Sequence, residues 1–151
     1  MQIQIPELEF SPWMRWDERR NFDGIKYPGV YAIAITTSDL SGRLFSYDHT
    51  IYIGMSNSPK GLEQRWNHFA DGIRDGSHHS GAKRIYKAKK CLSWQEWDES
   101  VYVSAMSVPC KPSKLDYDDR ISMGIVAFLE YYAFAEFHRH TGQLRPMYNK
   151  K

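Results

Sequence analysis

Glu130 sits in the phrase VAFLEYYAF and is the only acid between Asp119 and Glu136. On a helix its neighbours one turn away are Val126, Ala127, Ala133 and Phe134, and a carboxylate on so apolar a face is costly unless an opposite charge or a metal ion meets it. Arg65, in GLEQRWNHF, offers a guanidinium whose paired N–H donors fit a phosphate or a carboxylate. Tyr31 follows Gly29-Val30, and Tyr52 precedes Ile53-Gly54. Phosphodiester hydrolysis needs charge neutralised on the phosphate oxygens, a positioned water and a group that takes its proton; a metal on Glu130, Arg65 and a phenol cover these needs. Each residue also has an ordinary reading: a buried Glu130–Arg65 ion pair, an exposed helix arginine, core tyrosines with satisfied hydroxyls.

These side chains need elements to hold them. After Pro28, GVYAIAITT has the β-branched and aromatic content of a strand buried on both faces, and TIYIG (Thr50–Gly54) is a second strand across a long polar hairpin loop. Ser58 and Pro59 read as a helix start, with Leu62, Trp66, Phe69, Ala70 and Ile73 as its apolar stripe and an end near Arg74. Residues 76–81 form a loop, and KRIYKAKK (Lys83–Lys90) reads as a short basic helix that puts Lys83, Lys87 and Lys90 on one face. SVYVSAMSV (Ser100–Val108) is a third strand, ended by Pro109 and Pro112. Asp118 and Asp119 open the longest helix, which runs to about His140, with His138, Arg139 and His140 at its negative end and Thr141-Gly142 as the stop. Residues 1–27 read as an arm with one short helix over 12–20, packed through its tryptophans on a domain spanning 28–151. The expectation is an α/β fold: a small three-stranded antiparallel sheet flanked by helices, in the order β-β-α-α-β-α.

Gly29-Val30-Tyr31 on one strand, Tyr52-Ile53-Gly54 on the next, Arg65 on the following helix, Glu130 on a later one and Asn149 near the end together resemble the GIY-YIG nuclease family, over nearly the whole of residues 28–149. The resemblance implies a DNA endonuclease that uses one Mg2+ (or Mn2+) per site and leaves 5′-phosphate and 3′-hydroxyl ends. It makes Glu130 the metal ligand, Arg65 the phosphate holder, Tyr31 the candidate general base with Tyr52 beside it or in exchanged roles, and Asn149 a hydrogen-bonding residue that steadies the Glu130 helix. Val30 stands where the motif has isoleucine. Many members carry a histidine four residues after the arginine, whereas His68 stands three after it. His68, His78 and His79 are backups for proton transfer or phosphate contact, with surface loop histidines as the plain alternative for the last two. The competing reading is a module of the same fold that binds nucleic acid without cutting it.

The chain has 151 residues, 42% hydrophobic and 25% charged, with a formal charge of +2, which suits one globular domain; its 5 Trp, 10 Tyr and 7 Phe exclude general disorder. The positive charge is segregated. Lys83, Arg84, Lys87 and Lys90, with Lys111, Lys114, Lys150 and Lys151, are the candidate DNA-backbone contacts, which would give affinity but no sequence choice; a merely solvated helix face is the alternative. Cys91 and Cys110 have no metal-site framework around them and read as free thiols. No apolar run approaches the roughly 20 residues of a membrane helix and no secretory pattern follows Met1, so the expected setting is intracellular, in the cytoplasm, without a membrane partner. A single site cuts a single strand, so double-strand cleavage would call for a homodimer, a second visit or a separate targeting partner.

Overall fold

The structure, a computed structural model, describes residues 2–150. Four strands, β1 (Met14–Arg15), β2 (Gly29–Thr36), β3 (Tyr52–Ser56) and β4 (Ser100–Ser107), form one antiparallel sheet in the order β1-β4-β2-β3. The helices are α1 (Gly61–Asp75), α2 (Ser80–Ala88) and α3 (Tyr117–Thr141). The sheet is therefore α/β and antiparallel as expected, but it has four strands, not three. The extra strand is two residues long, too short to carry a period-2 signal, and it forms because the outer edge of β4 has backbone groups to pair: Met14 lies opposite Val103 and Arg15 opposite Tyr102. Ser11 extends this cover, its N–H donating to the Ala105 carbonyl at 2.9 Å and its hydroxyl accepting from the Ala105 N–H at 3.0 Å.

The alternation of side chains along β2 divides the core in two. Tyr31 and Ile33 point to the face covered by α1 and α2, among Leu62, Trp66, Phe69, Ile73, Ala82 and Ile85. Val30, Ala32 and Ala34 point to the opposite face, covered by Val126, Leu129, Ala133 and Phe137 of α3. The arm contributes to both: Trp13 packs into the α3 side and Trp16 into the α1 side, each 1% exposed. The helix expected over 12–20 is confined to a 3-10 segment, Trp16–Asn21, because residues 14 and 15 are spent on the sheet.

The start of α1 lies later than Ser58-Pro59. The chain turns into the helix at Gly61 (φ +68°), where a Cβ would stand 2.3 Å from the Lys26 carbonyl carbon, and the next two N–H groups are capped by backbone: Leu62 donates to the Tyr27 carbonyl and Glu63 to that of Ile25, both at 2.9 Å. Ser58 braces this turn by accepting from the Lys60 N–H and donating to Gln64. Helix α3 is capped by Asp116, whose carboxylate accepts from the Asp119 N–H at 2.9 Å, and is closed by Gly142 in the left-handed conformation. Among the described residues no helix is long and apolar enough to cross a membrane. Cys91 and Cys110 are free thiols.

Candidate active site

In the β2–β3 pair Tyr31 stands opposite Gly54, and Ile33 opposite Tyr52, so both tyrosines lie on the face under α1 and α2. Tyr31 is fully buried and Tyr52 nearly so, with their ring centroids 6.2 Å apart. The Tyr31 ring crosses over Gly54, where a Cβ would be 2.7 Å from its Cζ and Oη. That glycine is what lets the phenol reach the outer strand. Trp66 of α1 meets the Tyr31 ring edge-on at 6.0 Å, and the charge of Arg65, one residue earlier, acts on both phenols.

Arg65 is half-buried, and its Nε is a buried donor with no hydrogen-bond partner. Such an orphan costs about 1–3 kcal/mol. Burial pushes the Tyr31 phenol well above its usual pKa, and the neighbouring Tyr52 adds to this, while Arg65 pulls it back and Glu130 raises it. Tyr52 is likewise raised, by burial first, with Arg65 opposing and Glu130 adding. Glu130, on α3, is 6% exposed, and the effect of its charge on both phenols places its carboxylate in their field although α3 covers the other face of the sheet. β3 is the edge strand, so α3 approaches the tyrosines around that edge. Asn57, just beyond β3, ties it to α3 by donating to the Met123 carbonyl at 3.1 Å.

The side chain that touches Tyr31 most directly was only a backup in the sequence. His79 is 1% exposed; its Nε2 lies 3.2 Å from Tyr31 Oη, and its Nδ1 accepts the Ala82 N–H at 3.1 Å, which makes it the N-cap of α2. Its ring packs edge-on against Tyr52 (5.4 Å) and Phe69 (5.0 Å). Gly81 leaves room for this cluster, since a Cβ there would stand 2.4 Å from Tyr52 Cε2. Burial, then the positive charge of Arg65 and Arg84, lowers the imidazole pKa to about 3. Ser, Thr, Asn and Asp are the usual helix caps, so a histidine ahead of Ser80-Gly81-Ala82 did not read as one. His68 is at the rim, half-buried and stacked on exposed His78 at 5.6 Å, rather than against the phenols.

Asn149 is bonded to β3. Its Oδ1 accepts the Ile53 N–H and its Nδ2 donates to the Ile53 carbonyl, both at 2.8 Å, in the manner of a partner strand. Tyr148 donates its N–H to the Ile51 carbonyl at 3.0 Å. The tail thus closes the free edge of β3 at Ile51 and Ile53, the two residues that flank Tyr52.

Of the basic candidates, Lys83 and Lys87 are exposed on α2. Arg84 is committed elsewhere, donating from Nε and Nη2 to the Tyr148 carbonyl at 3.0 and 2.7 Å. Lys90 lies past the end of α2 with φ +57°, so it does not continue the Lys83–Lys87 face. Lys111, Lys114 and Lys150 are exposed, and Lys151 lies outside the described residues. Among the described residues no group of three or more His, Cys, Asp or Glu side chains is arranged to hold a metal ion. No family model matches the chain, and neither a curated protein nor a solved structure does.

Proposed function

We propose that this protein is a metal-dependent DNA endonuclease of the GIY-YIG kind. The observation that carries the reading is Arg65: a guanidinium with an unpartnered, buried Nε, set against two buried phenols, is a site waiting for an anion with oxygens to share. A phosphodiester has that chemistry. The charge of Glu130 acts on both phenols and supplies a carboxylate for the site.

Arg65 would hold the scissile phosphate and stabilise the charge that grows on its oxygens. Tyr31, as phenolate, would take a proton from the attacking water while the water oxygen bonds to phosphorus and the bond to the 3′ oxygen breaks; that oxygen takes a proton from solvent water, leaving 5′-phosphate and 3′-hydroxyl ends. Tyr52 would hold the second side of that site. Glu130 would hold Mg2+ or Mn2+, whose charge when bound favours hydroxide at the attacking water and offsets the phosphate's. Lys83 and Lys87, exposed on α2, would meet the DNA backbone. Nicking of supercoiled plasmid tests the reading: open circles with Mg2+ and none with EDTA are expected, and intact plasmid at every metal concentration, with a folded protein, would reject it.

A further inference from the structure

The bond between His79 and Tyr31 has a direction, and the second bond of His79 sets it. Nδ1 accepts the Ala82 N–H, so that nitrogen carries a lone pair and not a proton. A neutral imidazole then has its proton on Nε2, and with Tyr31 Oη at 3.2 Å that N–H donates to the phenol oxygen. The imidazole has no free lone pair left, so it cannot accept the tyrosine's proton without giving up the helix cap. The positive charge of Arg65 favours the ionised form of the same phenol. Tyr31 Oη therefore receives an N–H donor from His79, with the positive charge of Arg65 acting on it as well, an arrangement that supports negative charge on an oxygen otherwise disfavoured by burial. The other groups facing it are the Tyr52 hydroxyl from β3 and the Glu130 carboxylate from α3.

We propose that His79 is a positioning residue for Tyr31: a hydrogen-bond donor, held in the Nε2–H tautomer by its own helix cap, that fixes the orientation of the hydroxyl and steadies the phenolate. Its catalytic consequence rests on the nuclease reading; its geometry does not. The N-cap and the tyrosine contact use different nitrogens, so substitutions separate them. His79→Asn keeps a good cap but is too short to reach Tyr31, while His79→Gln places an amide N–H near the Nε2 position and caps poorly.

Two measurements test it. In the unsubstituted protein at neutral pH, 15N spectra of the histidine side chains should show His79 protonated at Nε2 and bare at Nδ1; the reverse tautomer overturns the proposal whether or not the protein cuts DNA. In cleavage assays with Mg2+, His79→Asn should fold and melt within a few degrees of the parent, leave KM unchanged and lower kcat about 10-fold or more. His79→Gln should regain part of that kcat despite a lower melting temperature. A His79→Asn variant with parental kcat, or kcat that tracks the melting temperature across both variants, would show a helix cap and nothing more. If the parent does not cleave, the nuclease reading falls while the tautomer measurement still decides the geometry.

Discussion

Tyr31 occupies the space that a side chain on Gly54 would fill: the two residues are directly opposed in the β2–β3 pair, and a Cβ at 54 would lie 2.7 Å from the phenol's Oη. Exchanging a strand glycine for alanine ordinarily gains about 0.5–1 kcal/mol from reduced chain entropy. At this position the ring, wedged between Trp66 and His79, has to swing out of the cluster. Gly54→Ala should therefore lower stability by about 1–3 kcal/mol, as overpacking does, and reduce plasmid nicking about 10-fold or more. Calorimetry and nicking on one preparation check both halves, and a fully active, more stable Gly54→Ala protein would show that the Tyr31 position is not needed.

Glu130→Gln keeps the shape of the side chain and removes its charge. As metal ligand, Glu130 predicts a variant that folds, binds DNA at least as well as the parent because a negative charge near the phosphate is gone, and fails to cleave at any practical Mg2+ concentration. As a structural partner of a buried cation, it predicts a loss of about 3–5 kcal/mol and a sharply lower melting temperature. Thermal melts and nicking together separate the two, and a stable variant that still nicks refutes the ligand role.

Lys83 and Lys87 are the exposed basic pair on α2, with Arg84 between them tied to the tail. Replacing both with alanine should weaken DNA binding alike for all sequences and flatten the dependence of log K on log salt by up to about 2, near 0.9 per phosphate contact. Adding Lys90→Ala should change the slope little, since that residue leaves the helix. Fluorescence anisotropy over a salt series measures this; an unchanged slope for the pair would leave an ordinary solvated face.

The lowered pKa of His79 makes stability depend on pH with a definite sign. Between the ordinary histidine value of about 6.5 and the folded value of about 3, the unfolded chain binds a proton that the folded protein refuses. Stability is then complete above about pH 6.5 and lost as the pH falls toward 3. The carboxylates held low by partners, Glu63 beside Lys26 and Asp75 beside Ser77, act in the same direction only at more acid pH. From pH 6.5 to 5 the melting temperature of the parent should fall more steeply than that of His79→Asn; equal slopes would mean that His79 titrates normally.

What was legible in the sequence is what neighbouring residues encode. The continuous apolar runs of β2 and β4 and the 3.6-residue stripe of α1 specify their elements locally, whatever the rest of the chain does. Glu130 stood out as a charged group on an apolar helix face, and Tyr31, Tyr52 and Arg65 stood out by the order and spacing of the short motifs that contain them. The tertiary structure decided everything that depends on a partner far along the chain. β1 exists because β4 offers an edge; Asn149 pairs with Ile53 across 96 positions; His79 reaches Tyr31 across 48. Each of these is a hydrogen bond made by a short or irregular segment whose own composition carries no period, and its energy appears only when folding brings an unsatisfied backbone group or hydroxyl beside it. Sequence spacing identifies which side chains can do chemistry, but which of them are already committed, as Arg84 and Asn149 are, is settled by who stands next to them in space.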